Sequence, residues 1–387
     1  MNNSIPYREK IRIEVVRDFD VLEPYADSWN RLALPAPQRT PMLSHAYITT
    51  YFEYLLEPGE SWFCLMALQG DELLGVLPVV VTPARYAGFD RPLLRAPFNM
   101  HIASVDFLIK EGLAFQVVPL LLDGIKSASK KYLGLELLRI PASSPTISVL
   151  AHRVQGSTVI KEFNGSGSFI DTTGSFEEYR AGLGRNFNRN LIKARNKISQ
   201  LPNIKTIFLS GAEANEKEVD ILMRVEAAGW KGRAGTAIMS SRSTRAFYTA
   251  LTRQLSKLGW LEWHVLYCDD RPIAIHFAIK LGRTLVINKI GFDEEFAQFS
   301  PGNILFERTV QRAFDSKDTD EINCLTDMPW HNNWKMIKKD YFDFWIYPRR
   351  PIPLICGVLP KEIRRWGRRM PAVKSLYKRI RSITKGA

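Results

Sequence analysis

FDEEFAQFSPGNILFERTVQRAF, residues 292–314, sets Ser300, Pro301 and Gly302 directly before an apolar helical stretch. Just upstream, TLVINKIGF (284–292) alternates and is rich in β-branched residues, so it reads as a strand. DEEFAQF connects the two. Ser300 suits an N-cap, and Pro301 suits the first helical position, where its missing N–H costs nothing. Gly302 has no side chain to block approach to its own amide or to that of Asn303. A helix N-terminus carries roughly half a positive charge and several unpaired donors. Strand, small-residue turn and helix together form a phosphate site. The same letters also serve as a plain helix start.

Working outward, the chain repeats its grammar. WFCLMALQGDELLGVLPVVV (62–81) reads as a β-hairpin turning at Gly70-Asp71, and WHVLYCDDRPIAIHFAIKL (263–281) has the same shape around Asp269-Asp270. Aligning the turns sets Gly75 against Ala274. The first hairpin leads to a helical stretch, 114–132, and a strand, 135–140. The second leads to a helical stretch, 303–314, and a strand, 321–325. This order implies two copies of one α/β unit. NGSGS (164–168) reads as a turn and the natural boundary between them. Ser175 with Glu178 then forms a capping box. The helix it opens carries Leu183, Phe187, Leu191, Ala194 and Ile198 on one face. Arg185, Arg189, Lys193 and Lys197 line another. That basic row is either a solvated face or an anion-facing ridge.

A glycine-rich loop, EAAGWKGRAGTA (226–237), follows an amphipathic helix over about 214–228. Gly229, Gly232 and Gly235 let backbone approach a ligand, and Trp230, Lys231 and Arg233 between them can meet anionic groups. An ordinary helix-ending loop is the plainer reading.

These stretches carry a resemblance. Hairpin, strand, small-residue loop and helix is the acyl-CoA-binding order of GNAT acyltransferases. EAAGWKGRAGTA, RPIAIHFAI and GFDEEFAQFSPGNILFE, in that order, resemble the CelD-like acetyltransferase domain of cellulose and exopolysaccharide biosynthesis. That group is similar to the Fem-type aminoacyltransferases, which use tandem GNAT-like halves. The resemblance covers roughly 170–340. It implies an α/β (α+β) fold of tandem GNAT-like halves, with mixed, mostly antiparallel sheets flanked by helices. The expected divisions are 1–165, 166–348 and a basic helical tail, 349–387. It also implies acetyl-CoA or another acyl-CoA as co-substrate, no metal, and a sugar or amine acceptor. A Fem-like donor, aminoacyl-tRNA, is the near alternative, and a non-catalytic scaffold the distant one. Ser300, Pro301, Gly302 and Asn303 are the expected cofactor site. Trp230, Lys231 and Arg233 are the expected acceptor contacts. Lys335 joins them from NNWKMIKK, where Lys338 stands in place of the Trp that ends the family's Tyr-Lys-x-x-Trp pattern.

GNAT-type transfer needs a base or water chain to take the acceptor's proton. Glu226 before the glycine-rich loop, Asp293 at the strand end and His276 in the second hairpin are the candidates. A surface carboxylate, a turn residue and a core histidine are their respective plain readings.

Composition sets the surroundings. Among 387 residues the formal charge is +13, yet residues 349–387 hold twelve Lys/Arg and one acid, or +11. The remainder is nearly neutral at +2, which disfavours nucleic acid as a partner and points to a tail that finds an anionic surface. In LPKEIRRWGRRMPAVKSLYKRIRSITK, Ile363, Trp366 and Met370, then Val373, Leu376, Tyr377, Ile380 and Ile383, fall at helical spacing among the cations. No apolar run approaches the twenty or so residues of a membrane span, and MNNSIPYREKIRIEVV has no signal-like core. The expected location is cytoplasmic, with the tail on the inner membrane face. The four widely spaced cysteines read as buried, reduced thiols.

Overall fold

The structure is a computed structural model and describes residues 10–86, 88–152, 154–229 and 241–369. Alternating apolar segments make twelve principal strands: β1 Arg12–Val16, β2 Ser61–Gln69, β3 Glu72–Thr82, β4 Leu93–Arg95, β5 Leu135–Pro141, β6 Ser157–Asp171, β7 Ile204–Ser210, β8 Leu261–Cys268, β9 Arg271–Leu281, β10 Thr284–Phe292, β11 Glu321–Asn323 and β12 Ile337–Pro348. They lie in one mixed sheet in the order β1-β2-β3-β4-β5-β12-β6-β11-β10-β9-β8-β7, with a short strand, Leu108–Ile109, added beside β3. The helices used below are α1 His45–Tyr54, α2 Ala114–Ala128, α3 Arg185–Ile198, α4 Lys217–Ala227, α5 Arg242–Lys257, α6 Pro301–Ser316 and α7 Leu359–Arg369.

Each end of the sheet repeats the other. β1-β2-β3-β4 run antiparallel, and β4 then pairs in parallel with β5 across the crossover helix α2. β7-β8-β9-β10 do the same, and β10 pairs in parallel with β11 across α6. Even the hairpin irregularities agree. Leu74 is the extra residue beside the Ala67–Leu68 step, and Ile273 is the extra residue beside Leu266–Tyr267. Gly75 and Ala274 therefore occupy equivalent places. The first must be glycine, because a Cβ there would lie 2.7 Å from Val117 and 2.8 Å from Ile109.

The middle of the sheet joins the halves by exchange. β12, from the end of the chain, pairs with β5 of the first half, and β6 pairs with β11 of the second. β6 and β12 pair with each other from Ile337↔Phe169 to Pro348↔Ser157. Residues 164–168, expected to turn, instead run inside β6. Their glycine signal marks a bulge: Gly165 has φ +70°, where the register slips between Asp340 and Phe342.

Two further local readings change. The helix expected to open at Ser175 is two helices, Phe176–Gly182 and α3, parted at Leu183-Gly184. Ser175 caps the first by accepting from the Glu178 amide at 3.1 Å. On α3, Leu191 and Ile198 are buried while Arg185, Arg189, Lys193 and Lys197 are exposed. Cys64, Cys268 and Cys324 are buried and Cys356 half-buried, all as free thiols.

Candidate functional site

The parallel contact between β10 and β11 lasts three residue pairs, ending at Val286↔Asn323. β10 continues to Phe292, while the chain after β11 turns away, so the two strands part. The gap is a cavity of about 690 Å³. One wall is β10 from Ile287 to Phe292, and the facing wall is Cys324–Thr326 with Met328, Trp330 and His331. Ser300, Pro301, Gly302 and Asn303 close one end, with Phe306 behind them on α6. The first half supplies a further wall through Met42, Met100, His101 and Ala103.

Ser300 departs from the expected N-cap. It sits in the left-handed region, φ 53° and ψ 47°, and its side chain makes no capping bond. The cause lies upstream. Asp293 caps a short 3₁₀ turn, Glu294–Phe299, by accepting from the Glu295 amide, and that turn ends in Ser300's left-handed residue. The first turn of this sixteen-residue helix therefore lines the cavity without a side-chain cap on its positive end, and the Phe292 ring lies beside Gly302.

β10 also bulges at the cavity. Phe277 faces Lys289 and Ala278 faces Ile287, so Asn288 has no counterpart on β9. Asn288 Nδ2 donates to the Tyr47 hydroxyl at 3.1 Å, and its Oδ1 has no partner among the described residues. Tyr47 in turn donates to the His101 carbonyl at 2.8 Å, which ties α1 to the wall.

Of the three candidate bases, the structure brings two to the cavity. Glu226 is 3% exposed at the end of α4, against Gly291 of β10, whose missing side chain admits the Glu226 backbone. His276 is also 3% exposed. Burial, reinforced by the neighbouring His264, pushes its pKa well below the ordinary imidazole value, so it is neutral at pH 7. Asp293 lies elsewhere. It is buried, its carboxylate holds Arg271 at 2.5 Å and caps the 3₁₀ turn, and it does not line the cavity. Lys335 is exposed and lines a separate surface hollow with Gly184–Phe187, Asn332 and Asn333. Trp230, Lys231 and Arg233 lie outside the described residues.

Sequence reasoning missed the wall from the first half and the segment after β11. It also missed a polar chain behind His276. His264, directly opposite His276 in the hairpin, bonds Thr309 Oγ1 at 3.0 Å and Glu262 at 3.0 Å, and Thr309 bonds His276 at 3.2 Å. The register set by the Asp269-Asp270 turn would have paired His264 with Ile275; the bulge at Ile273 shifts it by one and brings the two histidines opposite each other. His331 also faces the cavity, its pKa lowered to about 4 by burial and the charge of Lys338.

Residues 185–335 match the acetyltransferase (GNAT) domain. The protein is an acyltransferase. Its fold is similar to that in the crystal structure of FemX, at TM-score 0.58 and 9% identity, over 86% of this chain and 96% of that one. It is also similar to a conserved protein of unknown function from Bacteroides thetaiotaomicron VPI-5482, at TM-score 0.52 and 11% identity, over 87% of this acyltransferase and all of that chain. At such identities the likeness is one of fold. No curated protein sequence matches the chain.

Proposed function

We propose that this acyltransferase moves an acyl group from an acyl-CoA, acetyl-CoA included, to a sugar or amine acceptor in surface-polysaccharide assembly, in the manner of CelD-like enzymes. One observation carries the donor reading: β10 and β11 part after Val286 and Asn323, and the opening runs to the uncapped first turn of α6. The donor's diphosphate would rest on the amides at Gly302 and Asn303, with Ser300 and Pro301 forming the turn. Its pantetheine arm would lie in the gap, accepting and donating as a missing strand does. The bulge at Asn288 frees backbone to polarise the thioester carbonyl. The acceptor would enter from the side of Met42, Met100, His101 and Ala103, where Glu226 and His276 can take its proton. Trp230, Lys231 and Arg233, following Glu226 in sequence, are proposed acceptor contacts. Asp293 serves this site by shaping the turn before Ser300.

Thermal melting with acetyl-CoA tests the donor. A ligand at about a hundred times its Kd stabilises the native state by about 2.7 kcal/mol. Acetyl-CoA or a longer acyl-CoA is expected to raise the Tm, and Gly302→Leu, which adds bulk at the cavity lining against Phe292, is expected to abolish the rise. If none of the acyl-CoAs from acetyl to palmitoyl shifts the melt, the donor reading falls. Supplying nucleotide sugars or amines with the donor and following free thiol then sorts the acceptors.

For the tail we propose an anionic membrane surface. Ile355, Leu359, Ile363 and Trp366 are all more than half exposed, Trp366 at 65%. Arg364 and Arg365 lie between them on α7, and each cation near such a surface contributes about 1 kcal/mol. Among the described residues no helix is long and apolar enough to cross a membrane. The full chain is expected to float with phosphatidylglycerol vesicles and a 1–350 truncation to stay behind; equal flotation by both rejects the role.

A further inference from the structure

The buried chain Glu262–His264–Thr309–His276 has a direction, and the direction follows from which atoms can donate. Glu262 lies below the usual carboxylate range: burial pushes it up, but the hydrogen bond from His264 and the positive charges of Arg312 and Lys280 hold it down. It is therefore ionised and can only accept. His264 Nε2, 3.0 Å away, must carry the proton of that bond. His264 is fully buried and held neutral by desolvation, so its Nδ1 is bare. Among the described residues the group bonded there is Thr309 Oγ1, at 3.0 Å, and the hydroxyl must donate to it. Having used its one proton, Thr309 can only accept from His276 Nδ1, at 3.2 Å. His276 is neutral too, so the proton on Nδ1 leaves Nε2 bare. Nε2 has no hydrogen-bond partner among the described residues and is not among the atoms closed off from the cavity that His276 lines.

We propose that Glu262, His264 and Thr309 are positioning residues that fix His276 as its Nδ1–H tautomer, with the Nε2 lone pair presented to the cavity as the proton acceptor of acyl transfer. This rests on the acyl-transfer reading of the cavity. The acceptor's nitrogen or oxygen bonds to the acyl carbon while its proton passes to His276 Nε2. The carbon–sulfur bond breaks, and the leaving thiolate takes that proton back from the imidazolium. The products are acylated acceptor and free CoA thiol, and His276 returns to its starting form. The relay's carboxylate offsets the imidazolium charge in between, as a buried carboxylate behind a histidine does in hydrolytic triads. The spacing is economical: the two histidines face each other across β8 and β9, and Thr309 reaches both from α6.

The test reads the tautomer in the ligand-free protein. Nitrogen-15 NMR of labelled histidine distinguishes a bare ring nitrogen from a protonated one. Wild type is expected to show His276 with Nδ1 protonated and Nε2 bare near neutral pH. Glu262→Gln supplies a donor where only an acceptor stood, so His264 can reverse and the chain with it. Nε2–H is then expected to appear at His276, with kcat falling at least about tenfold and KM for acyl-CoA little changed. Thr309→Val is expected to uncouple the two histidines, and Thr309→Ser to restore both tautomer and kcat. A wild-type His276 protonated at Nε2 overturns the proposal. So does a Glu262→Gln protein, folded by circular dichroism, whose tautomer and kcat are unaltered. The expected wild-type pattern in a protein that no acyl-CoA stabilises would support the relay's polarity and remove the donor reading, so the two fail separately.

Discussion

Asp106 shows how much a single buried group can tie stability to pH. It lies in the first half, 1% exposed, accepting from Gln38 Nε2 at 3.1 Å and from the Ser144 hydroxyl. Burial raises its pKa to about 6 from 3.8, although Ser144, Thr146 and Gln38 each pull it down. The folded protein thus binds the proton more tightly than the unfolded chain does. The stability tied to that proton is full below the unfolded pKa, and is lost as the pH climbs through about 6. The loss by neutral pH is about 3 kcal/mol. Asp106→Asn cannot titrate. Its stability in urea, relative to wild type, is therefore expected to rise by about that amount between pH 4 and pH 7. Parallel stability profiles for the two proteins would show that the carboxylate is not held as the burial implies.

At the scale of the element, α6 matters most, because its first turn lacks the usual cap. Ser300→Asp would place a carboxylate at the positive helix end, and Asp is among the residues that tolerate the left-handed region. The ligand-free protein is expected to gain about 0.3–1 kcal/mol. The same charge repels a diphosphate, so the acetyl-CoA-induced rise in Tm is expected to shrink. A variant that melts higher yet keeps the full ligand shift would place the donor's phosphates elsewhere. The strand, the helix and the turn between them were legible, since β10 alternates and Ser-Pro-Gly is strong punctuation. The missing cap was not, because it depends on the Asp293 turn that delivers Ser300 in a left-handed conformation. Both hairpins were legible from their turns, and with them the repeated order of elements. Gly165 misled for a related reason: glycine marks positive φ, and a bulge within β6 uses it as readily as a turn. The Glu262–His264–Thr309–His276 chain stayed hidden because its members come from three elements, and only packing α6 on the hairpin joins them.

Across the whole molecule, the exchange of β6 and β12 makes two similar halves depend on each other. β5 borders β12, as in Phe344↔Leu137, and β11 borders β6, as in Ile322↔Ile170. Neither half keeps its inner strand neighbours if the other unfolds. The helices reinforce the joint: Tyr47 of α1 packs on Phe247 of α5 with ring centroids 5.8 Å apart, and His101 bonds the Tyr248 hydroxyl at 3.1 Å. One apolar cluster runs from Trp29 and Phe107 in the first half to Trp263 and Phe344 in the second. The cavity shares this dependence, since Met42, Met100 and His101 face β10 across it. Chains of this size commonly unfold domain by domain. Here the central strands argue for one transition: calorimetric and van't Hoff enthalpies are expected to agree, as two-state unfolding requires. Hydrogen exchange sharpens the test. Amides of β6 and β12 are expected to exchange only through global opening, at the full unfolding free energy, whereas the edge strands β1 and β7 open at lower cost. If β1–β5 exchanged as one unit well before β7–β11, the halves would be separable bodies. The wall that Met42, Met100 and His101 give the cavity would then be a docked surface, not part of a single folded core.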